Sequence, residues 1–226
     1  MPDLSRDLAD LARKLQSAEG LEATALSVAE AACRLIPGAE KASISLARKG
    51  IGIDTLASTD ELPMAADEAQ VATRQGPCIS AAWEQYYALL RDTESDTRWP
   101  AYSARVKELG VRSMLSLQLS LEDPDERIGA INTYSTEPEA YTEESIHIGK
   151  ILAVHASVAL VAAARHGQFE EALASRDVIG QAKGILMARH SLSADEAFSA
   201  LVQQSRNSNV RLRDLAERVV RDADQR

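Results

Sequence analysis

Three stretches near the C-terminal end of the chain decide its architecture: residues 175–187 (SRDVIGQAKGILM), 195–198 (DEAF) and 212–216 (LRDLA). Each lies in a longer segment whose apolar residues recur every three or four positions, the spacing that predicts an amphipathic helix. Two short polar breaks separate the segments. The sequence therefore predicts an all-α unit of three helices packed as a small bundle.

The first of these helices, predicted over residues 168–188, has two distinct faces. Its apolar stripe consists of Val178, Ile179, Ala182, Ile185 and Leu186. Beside that stripe, steps of four and three residues place a second set on one face: Arg176, Gly180, Lys183, Met187 and His190. Gly180 and Gly184 each cost about 1 kcal/mol relative to alanine inside a helix. Small residues at these positions permit the close approach of a neighbouring helix or of RNA.

The second and third helices carry their own start signals and core residues. Ser193 is the expected N-cap of the second, with Glu196 at the capping-box position. The predicted core positions are Ala197, Phe198, Leu201 and Val202 on the second helix and Leu212, Leu215, Ala216, Val219 and Val220 on the third. Arg206 ends the second helix, and three arginines project from the third: Arg211, Arg213 and Arg218.

This order of residues resembles the ANTAR domain, an RNA-binding module of bacterial transcription antitermination regulators. The resemblance implies binding to paired RNA hairpin loops, in which cations contact phosphates and arginine also stacks on unpaired bases. The candidate RNA-binding residues are Arg176, Lys183, Arg189, His190, Arg206, Arg211 and Arg213. The alternative is that such cations pair with nearby acids, Arg213 with Glu217 and Arg218 with Asp214, at four-residue spacing.

The distribution of charge limits how this segment could bind RNA. The chain has a net charge of −9. Residues 1–167 hold 16 basic and 25 acidic residues, whereas residues 168–226 hold nine of each. The C-terminal segment is therefore neutral, and local placement of arginine and lysine must supply the attraction that bulk charge does not.

The N-terminal part predicts an α+β domain with a hairpin-rich antiparallel sheet flanked by helices. The predicted helices cover residues 3–17, 22–36, 64–73, 78–85 and 100–109, and the predicted strands cover 42–48, 51–58, 86–90, 112–121 and 127–135. This order resembles a GAF domain over about residues 20–165. The most specific matches are residues 75–78 (QGPC), 96–100 (DTRWP), 110–113 (GVRS) and 128–132 (IGAIN). They are similar to the GAF domain that precedes ANTAR in actinobacterial regulators.

A GAF-like fold implies a pocket for a small ligand between the sheet and its covering loops. The candidate rim is residues 78–102, which holds five of the nine aromatic residues: Trp83, Tyr86, Tyr87, Trp99 and Tyr102. Aromatic walls suit a flat or apolar ligand. The alternative is that these side chains fill the core. The ligand itself is not identified, and residues 86–91 (YYALLR) depart from the valine-rich strand expected in the family.

A long helix is predicted to join the two parts. Thr142 is a plausible N-cap, and the helical pattern has no obvious stop until about residue 188. The apolar positions that recur along it are Ile151, Val154, Val158 and Val161, then Ala159, Ala162, His166, Phe169 and Leu173. So long a helix is expected to pair with a second copy of the chain. The alternative is a break at Gly167. The predicted domains are residues 1–165 and 166–226.

Residue patterns for catalysis or cofactor binding are lacking in the sequence. The four histidines have no metal-ligand spacing, and no phosphate loop or nucleophile motif occurs. Asp92, Glu94 and Asp96 alternate, but their loop lacks the glycine and the later glutamate of an EF-hand. Cys33 and Cys78 are too few for a disulfide framework. We therefore expect neither an enzyme nor a bound cofactor or metal.

The expected function is that of a cytoplasmic, dimeric GAF–ANTAR regulator without a membrane segment. Residues 1–16 are charged and amphipathic, unlike a signal peptide. No apolar run approaches the roughly 18 residues that span a membrane. The expected mechanism is signal sensing by the first domain and binding of paired hairpins in nascent RNA by the second, which prevents termination. The rival hypothesis is a ligand-sensing or protein-interaction module without RNA binding.

Overall fold

The computed structural model describes residues 4–48, 52–83, 86–120 and 128–224. The chain divides into two compact units, one ending at Ala164 and one beginning at Arg165. The first is the predicted α+β domain, and the second contains the predicted helical segment.

The first unit is built on a five-stranded antiparallel sheet with the strand order β2-β1-β5-β4-β3. The strands are β1 (Lys41–Arg48), β2 (Gly52–Ser58), β3 (Tyr87–Leu90), β4 (Ser113–Leu119) and β5 (Ile128–Ser135). The long central strands pair in register from Ser113 with Ser135 to Leu119 with Gly129. The predicted strands are confirmed to within two residues at each described end.

Helices cover both faces of this sheet. They are α1 (Leu4–Ser17), α2 (Gly20–Leu35), α3 (Glu61–Thr73), α4 (Pro77–Trp83) and α5 (Pro100–Glu108). On one face, Leu115 and Leu117 of β4 belong to a core shared with α1 and α2. On the other face, Met114 belongs to a core shared with α3, α4 and α5. The alternation along β4 follows from the two-residue period of a strand, which points neighbouring side chains to opposite faces.

Helix α3 begins three residues earlier than its apolar pattern predicts. The carboxylate of Asp60 accepts hydrogen bonds from the backbone N–H groups of Glu61 and Leu62. An N-cap satisfies donors that have no partner within the helix, and it therefore fixes where the helix starts.

A single helix, α6, runs from Glu143 to His190, a length of 48 residues. The prediction of a continuous helix is confirmed, and Gly167 does not interrupt it. Within the first unit, Leu152, Ala156 and Leu160 of α6 are buried in the core. The expectation that no stretch could span a membrane is wrong by length and composition, since one window of α6 is apolar enough. Burial of Leu152, Ala156 and Leu160 accounts for part of that apolarity, since 39% of the window is buried.

The second unit consists of the C-terminal part of α6 with α7 (Ala194–Ser208) and α8 (Leu212–Asp224). Its buried side chains, among the described residues, are Ala182 of α6, Ala197 and Leu201 of α7, and Ala216 of α8. The capping box is present, because Ser193 Oγ accepts from the backbone of Glu196 and the Glu196 carboxylate accepts from the backbone of Ser193. This small apolar core and the capping box position α7 against α6, and residues of both helices line the candidate interface.

Candidate nucleic-acid interface

A groove on the second unit lies between α6 and one side chain of α7. It has a volume of about 560 Å³ and is lined by Ala172, Ser175, Arg176, Ile179, Gly180, Lys183 and Phe198. Two of the predicted RNA-binding residues, Arg176 and Lys183, are thus brought to one concave surface. No acidic side chain lines it, although the segment as a whole is neutral.

Phe198 is the side chain that α7 contributes to this groove, and its predicted core role is wrong. It is 44% exposed, whereas Ala197 beside it and Leu201 one turn later are buried. Successive helix residues are rotated by about 100°. With Ala197 directed at the small centre of the bundle, Phe198 is turned to its edge.

A second depression follows the outer side of α7. It has a volume of about 470 Å³ and is lined by Phe198, Ser199, Val202, Gln203, Arg206 and Asn207. Phe198 borders both concavities. An exposed aromatic ring therefore lies with Arg176 and Lys183 on one side and Arg206 on the other.

These three cations have no ion-pair partner among the described residues. Two other candidates, Arg189 and His190, are exposed in the last turn of α6, where a basic side chain also complements the helix dipole. Arg206 likewise lies in the last turn of α7, whereas Arg176 and Lys183 lie away from the helix ends. Without ion-pair partners, the charges of all three are available to an outside partner.

Arg211 and Arg213 already have acidic partners. Arg211 pairs with Asp214 at 3.2 Å, and Arg213 pairs with Glu217 at 3.1 Å and with Glu171 at 3.4 Å. The predicted Arg213–Glu217 pair is confirmed, whereas Asp214 pairs with Arg211 and not with Arg218. Exposed pairs of this kind contribute at most about 1 kcal/mol. A phosphate can therefore compete for these arginines.

Ala172, Ser175 and Ile179 were missed as groove residues by the sequence analysis. They lie four to eleven positions before Lys183 on the same helix, so helical spacing around Arg176 and Lys183 would have found them. The contribution of Phe198 from a separate helix has no such signal.

In the sheet domain, the described aromatic side chains of the candidate rim lie in different surroundings. Tyr102 and Trp99 are buried in the core beside α3, α4 and α5, where the Tyr102 hydroxyl donates to Met114 Sδ at 3.1 Å. Tyr87 packs against the core on the other face of the sheet, beside α1 and α2, and the centroid of its ring lies 4.5 Å from Lys150 Nζ. Tyr86 is 81% exposed. The alternative of core filling is confirmed for Trp99 and Tyr102, and the Trp83 side chain lies outside the described residues.

The three alternating carboxylates have cationic partners of their own. Asp92 pairs with Arg112 at 3.1 Å, Glu94 pairs with Lys107 at 3.0 Å, and Asp96 pairs with Arg98. The backbone N–H of Glu94 and the Arg112 guanidinium hold the pKa of Asp92 below its ordinary value. Ion pairs with neighbouring cations therefore account for the three carboxylates of this loop.

The two cysteines behave as apolar side chains within the sheet domain. Cys78 is buried and Cys33 is half-buried, and burial raises the pKa of both thiols. A raised pKa keeps a thiol protonated and unreactive at neutral pH.

Two family models match the chain in succession. A GAF domain model matches residues 18–161, and an ANTAR domain model matches residues 167–220. The chain belongs to the GAF family and has the GAF–ANTAR architecture. GAF domains sense signals and ANTAR domains are RNA-binding antiterminator modules; both are soluble regulatory domains and neither is a catalytic one. No curated protein matches the chain.

Solved structures share the fold of the GAF domain. The GAF domain of a phosphoenolpyruvate-protein phosphotransferase from Coxiella burnetii is 18% identical, with 75% of this chain and 97% of that chain covered and a TM-score of 0.53. The N-acylhomoserine lactone-dependent factor CepR2 from Burkholderia cenocepacia is also 18% identical, with 70% and 96% covered and a TM-score of 0.55. These low identities show the fold alone.

The Stigmatella aurantiaca phytochrome photosensory core module is 12% identical and gives a TM-score of 0.58. The match covers 87% of this chain, which spans 43% of the length of that one.

Proposed function

We propose that this protein is a cytoplasmic, RNA-binding regulator of transcription antitermination, of the type found in actinobacteria. Its domains are residues 1–165, which sense a small molecule or another signal, and residues 166–226, which bind paired hairpins in nascent RNA. Binding of the hairpins prevents formation of a terminator. The observation that carries the proposal is the groove with Arg176 and Lys183 and no acidic lining residue.

The physical basis is local electrostatic attraction. Lysine and arginine side chains that contact phosphates release condensed counterions, which favours binding and makes it dependent on salt. The groove supplies two such cations, and Arg206 supplies a third at the neighbouring depression. Further proposed contacts are Arg189, His190, Arg211 and Arg213.

Lys183→Ala should weaken the binding of a two-hairpin RNA roughly tenfold and lower the slope of log Kd against log salt by about one. One phosphate contact is lost, while the buried residues of the bundle are untouched. Filter binding with the full-length protein at several salt concentrations measures both quantities. Arg221→Ala is the matched control, because Arg221 is exposed on α8 and lines neither concavity. Equal losses in the two variants would contradict a specific contact at Lys183.

We also propose that the protein is a homodimer paired through α6. In the first unit, Val154 and Val158 are 66% and 69% exposed and lie one turn apart. In the second unit, Phe169 and Leu173 are likewise exposed and one turn apart. Apolar side chains at helical spacing are the pattern that pairs helices. A dimer presents two bundles to two hairpins and so increases the overall affinity.

Val158→Asp should shift the protein from dimer to monomer, since it introduces a charge into an apolar contact. Sedimentation equilibrium should show the dimer Kd rise by at least about a hundredfold. Leu109→Asp is the control, because Leu109 is an exposed apolar residue of the sheet domain away from α6. A dimer Kd unaffected by Val158→Asp would show that this row of apolar residues on α6 is not the dimer contact.

A second candidate function is a ligand-sensing or protein-interaction module without RNA binding. The neutral charge of residues 168–226 favours it. Full-length protein that retains no two-hairpin RNA from a randomised pool at low salt would select this alternative.

A further inference from the structure

We propose that Phe198 is a stacking platform for an unpaired base of an RNA loop, with Gly180 keeping open the space that the base occupies. This inference rests on the proposed RNA-binding function and adds to it the chemical group that the groove receives. The cations of the two concavities would hold the phosphates on either side of that base.

The position of Phe198 is the first argument. Its ring is 44% exposed in a bundle whose buried side chains, among the described residues, are one leucine and three alanines. An aromatic side chain normally contributes a large apolar area to a core. Here a ring that could have enlarged a minimal core forms part of the wall of both concavities.

Gly180 supplies an independent argument. Glycine destabilises a helix interior, and it is often retained where another group must approach the backbone closely. A Cβ placed on Gly180 meets nothing within 4 Å of it. No neighbour in the protomer therefore requires glycine at this position. The free space opens into the groove that Phe198 and Ile179 line.

The charges around the ring decide between a base and a protein side chain. Arg176 and Lys183 line the groove, Arg206 lines the depression, and neither lining includes an acid. None of the three has an ion pair in the described part of the chain. A flat apolar face flanked by unpaired cations complements a base flanked by phosphates. Base–aromatic stacking requires an exposed base face, which loops provide and duplexes do not.

The test combines two protein variants with one change in the RNA. Full-length protein selects a binder from a pool of two-hairpin RNAs with randomised loops, and single loop positions of that binder are then made abasic. We expect one abasic position to weaken binding roughly tenfold. Phe198→Leu should weaken binding of the intact RNA by a similar factor without changing the salt slope. With Phe198→Leu, the same abasic position should cost nothing further, because the stacking partner is already absent.

Gly180→Ala distinguishes an effect on RNA binding in the groove from an effect on the stability of the fold. The added methyl group fits the protomer and improves helix propensity, so the melting temperature should stay equal or rise while RNA affinity falls. Tyr86→Leu is the control, because Tyr86 is an exposed aromatic residue of the sheet domain that lines neither concavity. Its RNA affinity should match that of the wild-type protein.

The outcomes separate this inference from the proposed function. Failure of the wild-type protein to select any RNA overturns the proposed function and, with it, the stacking site. RNA binding that is unchanged by Phe198→Leu, or losses that add at every abasic position, overturns the stacking site alone. Loss of the dimer with unchanged RNA affinity in Phe198→Leu would instead assign this face to contact between copies of the chain.

Discussion

Asp67→Leu should unfold the sheet domain or bring it close to unfolding, with an expected loss of at least about 4 kcal/mol in the free energy of unfolding. The carboxylate of Asp67 is fully buried between the sheet and α3. One oxygen accepts hydrogen bonds from Ser43 at 2.8 Å, Ser45 at 2.7 Å and Thr55 at 2.9 Å. The other accepts from Tyr134 at 2.5 Å, Asn132 at 3.2 Å and Gln70 at 3.3 Å.

Leucine has a similar size but accepts none of these bonds. Each buried donor left without a partner costs about 1–3 kcal/mol, and some of the six can re-pair with each other. The remaining loss is comparable with the whole stability of a typical domain, about 5–15 kcal/mol. Urea unfolding of the full-length protein, followed by tryptophan fluorescence, measures the change.

Asp67→Asn is the matched control. An amide nitrogen beside Ser43, Ser45 and Thr55 can donate to hydroxyl groups that rotate to accept, so the expected loss is only about 1–2 kcal/mol. Equal losses for the leucine and asparagine variants would show that the hydrogen bonds do not determine the stability of this site.

The contribution of Asp67 to the stability of the fold depends on pH, and the direction of its pKa shift sets the sign of that dependence. Burial raises the pKa of Asp67, and the hydrogen bonds from Tyr134 and the serines only partly offset that rise. Between the ordinary and the raised pKa, the folded state binds more protons than the unfolded chain. The contribution of Asp67 to stability therefore falls as the pH rises through this interval. Relative to Asp67→Asn, the wild-type protein should gain stability as the pH is lowered from neutral.

Leu201→Ala should unfold the C-terminal bundle while the sheet domain stays folded. Leu201 is the one large side chain among the four buried residues of the bundle in the described part of the chain, and the other three are alanines. Removing a buried leucine costs about 2–5 kcal/mol, and a bundle with so small a centre has little stability to lose.

Hydrogen exchange followed by mass spectrometry locates this effect. Peptides from α7 and α8 should lose protection, peptides from β4 and β5 should keep it, and RNA binding should disappear. Leu201→Met is the control, since a swap of similar volume usually costs less than about 1.5 kcal/mol. Retained protection of α7 in Leu201→Ala would show that partly buried residues such as Leu186 and Leu215 suffice.

The sequence alone predicted the features that depend on neighbouring residues. Helical spacing placed Arg176, Gly180 and Lys183 on one face, because a helix repeats every 3.6 residues. The capping box at Ser193 and Glu196 is equally local, since both partners lie within one turn. Strand alternation likewise predicted the two faces of β4.

Only the tertiary structure decided which side chains meet across the chain. Asp67 contacts residues up to 67 positions away, and no local pattern encodes that convergence. Phe198 and Tyr102 are both aromatic residues on helices, yet the first is exposed and the second buried. The difference depends on the size of the core that each helix packs against: a broad sheet covers Tyr102, whereas the bundle's small centre leaves Phe198 at its edge. The sequence therefore predicted the cations of the groove, but it did not predict the exposed ring of Phe198 beside them.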